Sequence, residues 1–65
     1  MPLTLRPITI GERVWIASGA FIGPGVEIGD GAVVSATSSV FKSVPSYKIV
    51  RGNPAIVIAS RSLSD

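Results

Sequence analysis

The sequence predicts an all-β chain built from a six-residue unit that turns a corner once per repeat, and three regularities predict it. A branched aliphatic residue returns at every sixth position: Ile10, Ile16, Ile22, Ile28, Val34 and Val40. Four residues after each of the first five stands a second, usually small residue: Val14, Ala20, Val26, Ala32 and Ser38. Directly after each of those five aliphatics comes Gly11, Ala17, Gly23, Gly29 or Ser35. A period of six is neither the 2 of a half-buried strand nor the 3.6 of an amphipathic helix, so the chain must bend within each unit. In extended chain alternate side chains share a face, so the small residue and the next aliphatic look inward together before the bend. The small residue after the aliphatic is the expected corner, because glycine tolerates backbone angles that larger residues resist.

In register, the units read I-G-x-x-V-W, I-A-x-G-A-F, I-G-P-G-V-E, I-G-D-G-A-V and V-S-A-T-S-S. They resemble the hexapeptide-repeat signature of left-handed parallel β-helix acyltransferases. Val14-Trp15-Ile16, the F-I-G-P-G-V run from Phe21 to Val26, and Gly52-Asn53-Pro54-Ala55 narrow the resemblance to the C-terminal part of sugar O-acetyltransferases of the colanic acid biosynthesis type. It extends over nearly the whole chain. One such hexad would carry little weight; five in register, followed by G-N-P-A, are specific. The resemblance implies left-handed coiling, against the usual right-handed crossover preference, and a three-sided coil of about eighteen residues. Each strand should then pair with the one eighteen positions on, stacking Ile10 on Ile28, Ile16 on Val34 and Ile22 on Val40.

Taken in order, residues 1–9 read as the tail of an earlier unit, with Thr4 six before Ile10 and Ile8 in the small inward slot. About two coils follow, and residues 1–45 are assigned to them. Pro24 suits a corner because it supplies no ladder donor, and Gly25 gives that bend room. After Val40 the period is read as stopping. Ser43-Val44-Pro45-Ser46 is then a turn leaving the prism, since Pro45 keeps Val44 out of helical geometry. Residues 46–65 form a C-terminal return segment and tail: an extended stretch over 47–51, a turn at Gly52-Asn53-Pro54, and a short helix over 55–63 lying against the coils.

Sixty-five residues make one domain at most, at a size where a single core is marginal without staples or partners. There is no Cys to form a disulfide, and no His, Cys or acidic cluster to hold a structural metal. Apolar residues are 46% and charged residues 15%, a balance that predicts surface meant for burial elsewhere. The first coil has nothing beneath it and leaves an open ladder edge. No apolar run approaches the roughly 20 residues of a membrane span, and the N-terminus lacks the pattern of a signal peptide, so a cytoplasmic location is expected. Charge is uneven: up to Ser39, Arg6 and Arg13 face Glu12, Glu27 and Asp30, whereas beyond it Lys42, Lys48, Arg51 and Arg61 face only Asp65. A basic exit segment suits a phosphate-bearing ligand, and on charge alone a solvated basic tail is the plainer reading.

The resemblance implies an O-acetyltransferase that takes acetyl-CoA as donor, needs no metal, acts on a sugar or polysaccharide precursor, and assembles as a homotrimer. Acetyl transfer to a hydroxyl requires a base for its proton and donors for the tetrahedral oxyanion. In this family the base is a His, carried by earlier coils. This chain has no His. The expectation is therefore a C-terminal fragment that holds part of the coenzyme groove and no catalytic residue. Trp15 matches a Trp near the acyl-donor arm, and could equally be a flat apolar cover on the prism. Ser18 and Ala36 match corner positions whose backbone groups bond the pantetheine. Lys42 matches a basic residue near the coenzyme phosphates. Phe41 replaces the usual Thr, and Ile56 stands where relatives carry a cation for the terminal phosphate, with Arg61 as a compensating cation.

Three other classes are weighed against this. A γ-type carbonic anhydrase shares the coil but needs His ligands for zinc, which the sequence lacks. An ice-binding or purely structural β-helix would carry a regular Thr ladder or no coenzyme-like exit segment; Thr4, Thr9 and Thr37 are scattered. Nucleic-acid binding calls for more cations interleaved with aromatics than the sequence has. The alternative kept open is a non-catalytic β-helix segment acting in assembly alone.

Overall fold

The structure, a computed structural model, describes residues 7–61. The expectations for Thr4 and Leu63 lie outside them. Among the described residues there are eight strands and no helix. Six are two residues long: β1 (Thr9–Ile10), β2 (Trp15–Ile16), β3 (Phe21–Ile22), β4 (Glu27–Ile28), β5 (Val33–Val34) and β6 (Ser39–Val40). Two longer ones follow, β7 (Lys48–Gly52) and β8 (Ala55–Ser60). Every short strand ends on one of the sixth-position aliphatics, so the repeat and the strand are the same unit.

The chain winds as a left-handed parallel β-helix. Parallel pairing sets Ile10 on Ile28, Ile16 on Val34 and Ile22 on Val40, the three ladders expected from the eighteen-residue coil. One face of the prism carries β1 and β4, the second carries β2, β5, β7 and β8 in that order, and the third carries β3 and β6. The small slots point inward as expected, with Val26, Ala32 and Ser38 buried beside Ile28, Val34 and Val40. Burial is graded along the axis. Ile10, in the first coil, is 50% exposed, whereas Ile28 stacked upon it is 2% exposed. The base of the prism is uncovered among the described residues.

The corners are built differently from the expectation. In the first two coils the residues with left-handed backbone angles are Arg13, Gly19, Gly25, Gly31 and Thr37, a six-residue series three positions after each aliphatic rather than one. Gly11, Gly23 and Gly29, just after the aliphatics, are not in that conformation. They are small because the next coil passes close by. A Cβ on Gly29 would lie 2.5 Å from the backbone nitrogen of Ser46, a contact that nothing flexible can relieve. Gly29→Ala is expected to destabilise the fold by about 1–3 kcal/mol, the cost of forced overpacking. Gly25→Ala should cost about 1 kcal/mol through its positive φ. Denaturant unfolding of the two variants side by side checks the order.

Beyond Val40 the structure corrects the reading in two places. Val44 is not in a turn leaving the prism. It is 4% exposed and stacks on Ile28, its N–H donating to Glu27 O at 2.8 Å and its carbonyl accepting from Gly29 N at 2.8 Å. Val50 then stacks on Val34 within β7, parallel to β5. The hexad resumes after a corner two residues short: Val44 and Val50 are six apart, and Tyr47, three after Val44, has the left-handed φ of 61° proper to a corner. A partial third coil of sixteen-residue spacing therefore lies on the first two faces, and parallel pairing occurs on both sides of the expected boundary at residue 45. Ser38 ties it down, its buried hydroxyl accepting from Gly52 N at 3.1 Å.

The second correction concerns the tail. Of the stretch expected as a helix over 55–63, Ala55–Ser60 is the strand β8, antiparallel to β7 through the turn at Gly52-Asn53-Pro54. Ile56, Val57 and Ile58 are β-branched and lose side-chain freedom in a helix, while β7 offers a ladder for them to join.

Candidate functional site

The corner between the second and third faces brings Ser18 and Ala36 together. They are eighteen residues apart, one coil above the other, and the Thr37 N–H donates to Ser18 O at 3.1 Å. Both are exposed, and the left-handed residues Gly19 and Thr37 follow them. Small side chains leave the backbone of this corner open to a ligand along the prism axis. Trp15 precedes it on the outer side of β2, opposite Val33 and 65% exposed, so its indole is surface rather than core.

Lys42 lies elsewhere, on the corner after β6. There the shortened corner and the β7–β8 hairpin leave a groove of about 340 Å³ at the end of the prism. Val40, Val44 and Val50 form its apolar floor, and Phe41, Lys42 and Ile56 line its sides. The third face lies between this groove and the Ser18–Ala36 corner. Its outer side carries Phe21, whose ring centroid is 5.9 Å from that of Phe41 at a tilt of 47°. An extended ligand touching both Ala36 and Lys42 on one subunit would cross these two rings.

Arg61 is not brought to Lys42. Its guanidinium sits at the corner between the first and second faces, where Nη1 donates to Gly31 O at 3.1 Å and Arg13 O at 3.4 Å, while its backbone N–H donates to Tyr47 O. The side chain clasps the end of β8 to two coils. Lys48 is likewise engaged, its Nζ donating to Ser60 Oγ at 2.8 Å. Lys42 and Ile56 do share one groove.

The sequence reading missed the Phe21–Phe41 pair and the part that Val44, Val50 and Val57 play in the groove. The signal for Val44 and Val50 was available, a six-residue step displaced by two. Phe21 and Phe41 are twenty residues apart, outside the coil repeat, and no spacing rule joins them. Among the described residues no group of His, Cys, Asp or Glu could hold a metal ion.

Residues 7–42 match the family model for the bacterial transferase hexapeptide, six repeats. Over 59 residues the chain is 60% identical to a putative colanic acid biosynthesis acetyltransferase of Escherichia coli, covering 91% of this chain and 32% of the relative. Among solved structures it is similar to a hexapeptide-repeat acetyltransferase of Vibrio cholerae complexed with acetyl coenzyme A, with a TM-score of 0.85 and 40% identity, covering 88% of this chain and 31% of that one. It is also similar to a galactoside acetyltransferase in complex with coenzyme A, with a TM-score of 0.85 and 46% identity, covering 88% and 28% of the two chains. The chain spans about a quarter to a third of the length of these relatives.

Proposed function

The chain belongs to the bacterial transferase hexapeptide family, and from that premise we propose that it serves an acetyl-CoA-dependent O-acetyltransferase acting on a sugar or polysaccharide precursor. In this reading it supplies part of the coenzyme groove and of a homotrimer scaffold, and not the catalytic base. The observation that carries it is the pairing of an open, small-residue corner at Ser18 and Ala36 with an exposed cation, Lys42, at the end groove one face away. A flexible acyl-thiol arm with phosphates at one end suits that layout. The acetyl-CoA and coenzyme A complexes of the two similar structures support the same donor. The absence of His from all 65 residues supports a role without proton transfer. Half-exposed Ile8 and Ile10 at the base support burial in a larger assembly.

Titration calorimetry with coenzyme A tests it. Lys42→Ala should weaken binding by about 1 kcal/mol, the loss of an exposed charge-assisted contact. The wild-type affinity should fall as salt rises, because that contact is screened. Lys48→Ala should do much less, since its Nζ is held by Ser60. Dephospho-coenzyme A should bind nearly as well as coenzyme A, because Ile56 offers the terminal phosphate no charge. Equal effects of the two lysine changes, or no binding by a folded sample, would leave the non-catalytic assembly segment as the surviving reading.

A further inference from the structure

We propose that β8 is a self-association edge, pairing antiparallel about a twofold axis with β8 of a second copy of this chain and joining two prisms end to end. The inference is independent of any donor or acceptor and rests on the strand itself.

β8 is the outermost strand of its sheet, with β7 on one side and no partner on the other among the described residues. Such an edge presents a row of unpaired N–H and C=O groups, and soluble proteins commonly blunt it with lysine, proline or a very short strand. None of these is found within β8. Its sequence, Ala-Ile-Val-Ile-Ala-Ser, has no charge and no proline, and at six residues it is the longest strand described. Ile56, Val57 and Ile58 are 64%, 51% and 46% exposed. One blunting device is present, a β-bulge that puts an extra residue at Ile58 in the register with β7.

Two observations select a second β8 as the occupant. The other coil edges, β1 to β6, are two residues each and offer a six-residue strand at most a third of its length. Antiparallel pairing of β8 with itself sets only Ala, Ile, Val and Ser opposite one another in any register, so no like charges meet across the join. β7 carries two cations, Lys48, which reaches across to Ser60, and the exposed Arg51, opposite Ile56, and neither stands on β8 itself. The second face carries two more strands than the third, so β8 stands about 10 Å above the end of the β3–β6 face. The interface is isologous and doubles whatever lateral assembly exists, turning a monomer into a dimer or a trimer into a hexamer.

The test uses the full chain. Sedimentation equilibrium should show a concentration-dependent doubling of mass, and Val57→Lys should raise its dissociation constant at least tenfold while leaving a cooperative melting transition. Since the chain has no Cys, a single Ile58→Cys reports the contact directly. A short bismaleimide should join its copies far more efficiently than those of Glu12→Cys, an exposed position in the first coil. No doubling up to millimolar concentration, doubling that survives Val57→Lys in a folded sample, or equal cross-linking of the two cysteine variants would each overturn the proposal.

Discussion

Ile28→Ala is expected to destabilise the protein by about 2–5 kcal/mol, the range for truncating a large aliphatic in a closed core. Ile28 is the one aliphatic described with a neighbour on both sides along the axis of the first face, Ile10 below and Val44 above. Its side chain is 2% exposed, so truncation leaves a void that the short strands around it can only partly close. The backbone of β4 also holds Val44 in place, through Glu27 O and Gly29 N. A shift of β4 into the void would therefore loosen the third coil. Ile10→Ala is the internal comparison. Half of Ile10 is already in water, and its loss should cost about 1 kcal/mol. Urea unfolding of both variants would decide, and an Ile10 effect as large as that of Ile28 would mean that the base is covered in solution.

The chain by itself should show no sugar-dependent release of thiol from acetyl-CoA above background. The attacking hydroxyl must lose its proton as the carbon–oxygen bond forms, and a positioned base contributes about 10²- to 10⁴-fold to such a step. With no His in the sequence, the remaining candidates for the base are carboxylates. Among the described residues these are Glu12, Glu27 and Asp30, all exposed. Asp30 already accepts from the Glu12 N–H through Oδ1 at 2.9 Å, which holds it to the corner of the first and second faces, away from both Ser18 and Lys42. A coupled thiol assay with a panel of sugars checks this. Acceptor-dependent turnover would show that the chain needs no external base, and loss of that turnover in Asp30→Asn would identify its substitute.

The three ladders were legible in the residues because a strict six-residue period on a three-sided coil leaves one pairing for each strand. Ile10, Ile16 and Ile22 find Ile28, Val34 and Val40 by arithmetic alone, and the same count puts Ala32 and Ser38 inside. The corners show the limit of that arithmetic. Gly11 and Gly29 repeat as regularly as Gly19 and Gly31, yet the first pair is small to let a neighbouring coil pass and the second to permit a left-handed turn. Periodicity records that a position is restricted without recording which force restricts it.

Four residues in place of six between Val40 and Val44 hide the third coil from any count of sixes, and what restores it is contact between coils: the free edge of β4 captures Val44 and that of β5 captures β7. β8 likewise owes its form to β7, since an apolar stretch after a turn is compatible with helix or strand until a template is beside it. The candidate site was divided in the same way. Small corner residues and a cation after the last repeat belong to the sequence. The groove that sets Lys42 beside Ile56, the Phe21–Phe41 pair between the corners, and the removal of Arg61 to another corner depend on where the hairpin closes, and that is decided by hydrogen bonds between segments far apart in the chain.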